Sequence, residues 1–341
     1  MLSTVFGALT KFRNKLYSSE ILKVEHLPVP VIGVGNLTVG GTGKTPMVDY
    51  LISKLIKMSY EPGVVSRGYR GKYVGSVEVL LEDPDSVQAF GDEPVMLKEK
   101  WPKVPIFLSK KRYEAGLALL NNYSSNVLIA DDAFQHRSLY RDLNIVLFDL
   151  TVPVSDYKIL PSGKLRENIS GLSRADVVVL NKRNMMFDEE LLQSRVDWIE
   201  ARINKFAPKA IVLFGDFVID GYRSLKTGEL VSNLADQNIG LVSGLGNPHG
   251  FEQLMVGAGF NVEKHWSFKD HHNFTLEDLR DVFRSAEGRS LVVTSKDAVK
   301  LKKLDGIEWD NVWSVEITSE LKDFKTGTLK EFDETLSRLF R

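Results

Sequence analysis

Leu2, Val5, Leu9, Phe12 and Leu16 recur at steps of three and four residues, and Lys11, Arg13 and Lys15 are the only charges before Glu20. That spacing predicts a basic amphipathic helix, whose apolar stripe can lie on a membrane surface or dock on the protein's own core. From residue 29 the pattern changes to short apolar runs separated by polar helical stretches. Strands are predicted at Val29–Val34, Gly63–Ser66, Val77–Leu80, Val104–Leu108, Asn126–Ala130, Asn144–Phe148 and Val177–Leu180, with helices over Pro46–Lys57, Glu93–Lys98, Tyr113–Asn122 and Glu189–Asn204. This alternation implies an α/β fold, a parallel sheet with helices on both faces. After Ala210–Phe214 a polar turn region around Asp220–Lys226 precedes a second group of strands at Ile239–Val242 and Ser290–Thr294. The expected division is therefore an N-terminal helix in 1–28, a larger α/β domain in 29–215 and a smaller α/β domain in 216–341.

Composition narrows the function classes. The 341 residues are 43% hydrophobic and 26% charged, enough apolar surface for a core and against wholesale disorder. A net charge of -1 leaves no overall basic field for a nucleic-acid backbone, so no nucleic-acid partner is expected and any anion site must be local. There is no cysteine, which excludes disulfides, thiolate metal sites and a cysteine nucleophile. No apolar run reaches the roughly 18 residues of a bilayer span, and no signal-peptide cleavage pattern follows the first helix.

The most informative segment runs from Val31 through Gly33, Gly35 and Asn36 to Gly40-Gly41-Thr42-Gly43-Lys44-Thr45-Pro46, an apolar strand, a glycine-rich loop and a helix start. Glycines let backbone N–H groups turn toward phosphate oxygens, and the helix N-terminus adds unsatisfied amides and a positive dipole end. Gly40, Gly41, Thr42, Gly43, Lys44 and Thr45 are thus the candidate nucleotide cradle, Lys44 reaching the β- and γ-phosphates and Thr45 offering its hydroxyl to Mg²⁺. Thr38 stands where the strict P-loop pattern has glycine. Asp131 and Asp132 follow the apolar run Val127–Ala130; two adjacent carboxylates there suit a cation, and they are preferred over Asp149 as the Mg²⁺ partners.

A P-loop alone does not separate kinases, GTPase switches and motor ATPases. Asn181-Lys182-Arg183-Asn184 lacks the acidic fourth residue of a guanine-reading signature, so it reads as a strand-end turn and ATP is favoured. With no cysteine and no histidine-rich tract, a metal-chaperone GTPase is disfavoured. Gly244–Gly250 has His249 where a dinucleotide fingerprint needs glycine, and also reads as a strand-to-helix turn.

Eight segments in register resemble the tetraacyldisaccharide 4′-kinases of lipid A biosynthesis: the loop from Val34 to Pro46, Ser66-Arg67-Gly68-Tyr69, Gly91-Asp92-Glu93-Pro94, Asp131–Arg137, Leu160–Glu167, Arg174-Ala175-Asp176, Asp270–Phe274 and Thr294–Lys300. Ala133, Ser162 and Asn168 depart from the family pattern without removing a reactive group. The resemblance implies an ATP- and Mg²⁺-dependent P-loop kinase that phosphorylates the 4′-hydroxyl of a tetraacylated disaccharide 1-phosphate at the cytoplasmic face of the inner membrane; no obligate protein partner is inferred. It also implies Asp92 as the base, His271 as its partner in preference to His272, and a site completed when the second domain approaches the first. Asn36, Arg67, Tyr69, Arg112, Arg166 and Glu167 are the candidate acceptor-binding residues, with Arg70, Lys72 and Lys164 as further cations. The rival is a non-catalytic nucleotide switch or a GTPase-type chaperone.

Overall fold

A computed structural model describes residues 2–69, 71–82 and 85–340. The strands are β1 (Val31–Asn36), β2 (Pro62–Ser66), β3 (Val77–Glu78), β4 (Ile106–Leu108), β5 (Val127–Ala130), β6 (Leu143–Asp149), β7 (Val177–Asn181), β8 (Ile211–Ser224), β9 (Leu230–Val231), β10 (Asn238–Ser243), β11 (Asn261–Ser267), β12 (Ser290–Thr294) and β13 (Val312–Asp323). Among the described residues they form one thirteen-stranded sheet in the order β11-β10-β12-β13-β8-β7-β6-β1-β5-β2-β4-β3, with β9 beside β8. Pairing is parallel from β8 to β4 and from β13 to β11, and antiparallel between β8 and β13 and between β3 and β4.

The central strands are apolar throughout because both faces are covered. Along β6, Ile145 and Leu147 join a core with Leu51, Leu55 and Val95 of helices Lys44–Lys57 and Asp92–Lys100, whereas Val146 and Phe148 face Val196 and Ile199 of helix Glu189–Phe206. Successive side chains on opposite faces produce this division. A similar two-sided arrangement holds in the C-terminal half: Val242 and Val293 pack with helix Leu276–Ala286, and Ile239, Leu241 and Val292 with helix Pro248–Gly257.

Three features differ from the sequence expectation. β1 starts at Val31, after Pro30, which has no N–H for the ladder, and it ends at Asn36 rather than Val34. β8 runs unbroken from Ile211 to Ser224, through the expected boundary at 215/216, and its pairing with β13 makes the two halves one sheet. Helix Lys330–Arg338 returns to the N-terminal half, where Phe332 and Leu336 join the core of Leu51 and Leu55, and Asp333 pairs with Lys54 at 2.7 Å.

The first helix, Leu2–Ser18, has no buried residue. It is held through polar groups: Ser3 Oγ lies 2.7 Å from Ser162 Oγ, Asn14 Nδ2 donates to Glu167 at 2.6 Å, and Arg137 donates to the Asn14 carbonyl at 2.6 Å. Leu2 is 74% exposed and Leu9 and Phe12 each 62%, so most of the apolar stripe is not docked on the core.

Candidate active site

Strand β1 leads into the glycine loop, and helix Lys44–Lys57 leaves it. Gly43 caps the helix at φ +87°, a left-handed conformation, and a Cβ there would collide with Asn181 and Phe217. At Gly40 and Gly41 a Cβ would meet nothing within 4 Å, so the loop borders open space at these two positions. Thr42 Oγ1 is buried without a hydrogen-bond partner.

The loop is braced from the end of β7. Asn181 Nδ2 donates to the Thr42 carbonyl at 2.9 Å, and Lys182 Nζ donates to the Gly41 carbonyl at 2.6 Å and to Asp149 Oδ2 at 2.5 Å. The segment taken as a strand-end turn therefore reaches the phosphate loop. Its last two residues face elsewhere: Arg183 pairs with Asp216, and Asn184 uses both side-chain ends on the Phe217 backbone. Asp149, committed to Lys182 and Thr151, is accounted for without a metal.

Strand β5 is parallel to β1 and ends beside the loop with Asp131 and Asp132. Ser66 Oγ donates to Asp131 Oδ2 at 2.9 Å, while Asp131 Oδ1 is buried without a partner. Burial, reinforced by the charges of Glu93 and Asp132, pushes Asp131 up to about 6. Burial also works against ionisation of Asp132, yet Lys44 and Arg166 hold it below the usual carboxylate range. Arg166 Nη1 lies 2.8 and 2.9 Å from its two oxygens, and Lys44 Nζ lies 3.6 Å from Oδ1. Asp131 lines a small cavity together with Thr45, Ser66 and Glu93. A buried carboxylate oxygen lacking a donor, beside a hydroxyl and further carboxylates, fits a divalent cation.

Asp92 is the first residue of helix Asp92–Lys100, where a carboxylate is favoured by the helix dipole, and its Oδ1 accepts from the Glu93 N–H at 3.0 Å. Its Oδ2 lies 2.8 Å from His271 Nδ1, a contact across 179 positions of sequence. Burial raises Asp92, but the hydrogen bond from His271 and the charge of Lys296 outweigh it and keep the carboxyl below its ordinary range. His271 has φ +58°, and its backbone N–H donates to the Gly244 carbonyl at 3.1 Å. His272 points away, 3.0 Å from Asp278 and stacked on Phe268. The neighbour of Asp92 closes the link to the phosphate loop, since Thr45 Oγ1 lies 3.4 Å from Glu93 Oε2.

The acceptor candidates are dispersed. Tyr69 is exposed, with its ring centroid 5.7 Å from that of His271, and Arg67 is also exposed. Arg112 is 3% exposed and donates to the Ser109 carbonyl, and Asn36 is fully buried with both side-chain polar atoms unpartnered. Glu167 does not face open space: it is 1% exposed, Asn14 donates to one oxygen, and Gln135 and Arg174 donate to the other. Its carboxylate is thus satisfied by donors from the fold, as buried carboxylates usually are. Lys164 pairs with Asp156 at 2.9 Å, Lys72 is exposed, and Arg70 lies outside the described residues.

The tetraacyldisaccharide-1-P 4′-kinase family matches residues 1–336. The chain belongs to this kinase family. A tetraacyldisaccharide 4′-kinase of Bdellovibrio bacteriovorus is 36% identical over 308 residues, covering 89% of this chain and 88% of that protein. The enzyme of the same name from Shewanella halifaxensis is 34% identical over 338 residues, covering 98% and 93%. The crystal structure of LpxK from Aquifex aeolicus in complex with ATP superposes with a TM-score of 0.77 at 32% identity, covering all of this chain and 98% of that one.

Within the kinase fold, Asn181, Lys182 and Lys296 escaped sequence reasoning. For the first two a signal was present, an Asn-Lys pair closing a buried strand. For Lys296 there was only its place inside the Thr294–Lys300 segment.

Proposed function

We propose that this chain transfers the γ-phosphoryl group of ATP to the 4′-hydroxyl of a tetraacyldisaccharide 1-phosphate, with Asp92 accepting the hydroxyl proton. The observation that carries this reading is the 2.8 Å contact between His271 and Asp92, the latter next in sequence to Glu93, which lies 3.4 Å from Thr45 of the phosphate loop. A sugar hydroxyl attacks poorly until its proton is accepted, and a carboxylate held ionised by an imidazole N–H can take that proton as the P–O bond forms. Lys44 follows the charge that develops on the transferred group. Thr45, Asp131 and Asp132 would hold Mg²⁺, which neutralises phosphate charge when bound. Asp131 has the unpartnered oxygen for that task, whereas Asp132 is balanced by Arg166 and Lys44. The 216–341 half supplies His271 to Asp92 across the continuous sheet, and exclusion of water around the pair would protect the phosphoryl group from hydrolysis.

Arg67 and Tyr69 are the acceptor residues best supported by exposure, and Arg166 can reach an anion only by sharing it with Asp132. No helix among the described residues is long and apolar enough to cross a membrane. The acceptor's acyl chains nevertheless require a lipid surface. The exposed Leu2, Leu9 and Phe12 with Lys11, Arg13 and Lys15 support peripheral attachment to the cytoplasmic face of the inner membrane. Each basic residue near an anionic leaflet contributes on the order of 1 kcal/mol.

Incubation with Mg·ATP and a lipid disaccharide 1-phosphate should yield a new phosphate monoester at the 4′-position. Nucleotide binding without that product would favour the switch reading instead.

A further inference from the structure

The histidine that orients Asp92 is itself contacted on its other nitrogen. Lys296, the second residue of helix Ser295–Leu301, places Nζ 3.3 Å from His271 Nε2. A lysine ammonium has only donors, so an imidazole nitrogen facing it must accept. With Nε2 as acceptor, Nδ1 carries the ring proton and donates it to Asp92 Oδ2 at 2.8 Å.

The placement of Lys296 is unfavourable on local grounds. A cation in the first turn opposes the helix dipole, and the side chain is only 15% exposed. Its carboxylate neighbours, Glu93 Oε1 and Asp270 Oδ1, are both at 3.6 Å, beyond hydrogen-bond distance. The surrounding contacts hold helix and loop in one register: buried Asp297 accepts from the Gly244 N–H at 2.9 Å, Gly244 in turn accepts from the His271 N–H, and Lys300 donates to the His272 carbonyl at 3.1 Å.

We propose that Lys296 is a positioning residue that fixes the tautomer of His271, so that the imidazole presents an N–H to Asp92 and leaves that carboxylate ionised as the base. This rests on the reading of Asp92 above. The charged and titratable groups facing the pair are Asp92 and Glu93 on one helix, Asp270 beside it, Tyr69 from the loop after β2, and Lys300 on its own helix.

Two-bond ¹H–¹⁵N correlation spectra of the imidazole rings test this directly, the His271 signals being assigned by their loss in His271→Ala. The full-length protein should show Nδ1 protonated and Nε2 bare at pH 7.5. Lys296→Met should bring Nε2–H signal into the spectrum and lower kcat about 10- to 100-fold with KM for ATP within twofold, and Lys296→Arg should restore most of both. Lys296→Leu, which also lacks any N–H donor, serves if the Met variant does not fold. Unchanged ring signals in the neutral variants would overturn the proposal. So would a loss confined to KM for ATP, the mark of a lysine acting on phosphate. Asp92→Asn separates the two readings: full activity there defeats the base assignment, while the tautomer result stands or falls on the spectra.

Discussion

Replacing Lys182 by Met isolates the brace on the phosphate loop. The ion pair it makes with Asp149 is buried, the two side chains being 7% and 6% exposed. Removing one partner leaves a desolvated carboxylate whose remaining donors are the Thr151 N–H at 2.9 Å and hydroxyl at 2.6 Å. Breaking a buried pair from one side costs about 3–5 kcal/mol, which for a chain of this length corresponds to a melting temperature lower by roughly 4–7 °C. Asp149→Asn in the same chain removes the stranded charge and keeps Oδ1 for Thr151, so the double variant should regain at least about 2 kcal/mol relative to the sum of the singles. The Gly41 carbonyl also loses its 2.6 Å donor. Gly41 is exposed and water can replace that donor, so the effect on ATP should be near 1 kcal/mol, roughly a fivefold rise in KM. Urea titrations of the three variants and the parent, with initial rates against ATP, measure both quantities. A single-variant loss below about 1 kcal/mol, or additive losses in the double variant, would show that Lys182 does not hold the loop through Asp149.

Asp92→Asn and His271→Ala should each lower kcat by about 10²- to 10⁴-fold, and steady-state rates of the double variant should be close to the worse single one, because the two act as a unit. Leu9→Ser with Phe12→Ser should weaken flotation with anionic vesicles and raise KM for the lipid acceptor. The melting temperature should hold, since no residue of that helix is buried; retained flotation with a lowered melting temperature would defeat the membrane reading. His136 should make the protein acid-sensitive: burial, then Arg112 and Arg141, push it down to about 4, so its unfolded form binds the extra proton. The stability it contributes is complete above about pH 6.5 and is lost as pH falls toward 4. His136→Gln should therefore flatten the stability profile in that window, as read by denaturant midpoints at pH 5 and 7.5.

Much of the frame was legible locally. Apolar runs such as Val177–Leu180 had to be buried strands, and Gly40–Thr45 had to be a turn aimed at an anion, because side-chain alternation and glycine backbone freedom depend only on near neighbours. The carboxylates after Val127–Ala130 were recognisable for the same reason. Asp92 and His271 carried no such signal by themselves, and only resemblance to a family joined residues 179 positions apart.

The tertiary structure decided what depends on sheet order. Pairing of β8 with β13 made one sheet of two expected domains and returned Phe332 and Leu336 to the first core. Packing elsewhere in the fold set Lys182 against a carbonyl 141 residues earlier, drew Glu167 inward onto Asn14, Gln135 and Arg174, and brought Lys296 to the far nitrogen of His271. A lysine or glutamate reads the same in sequence whether solvated or buried; its partner is chosen by which strands become neighbours, and that choice is made by the whole chain at once.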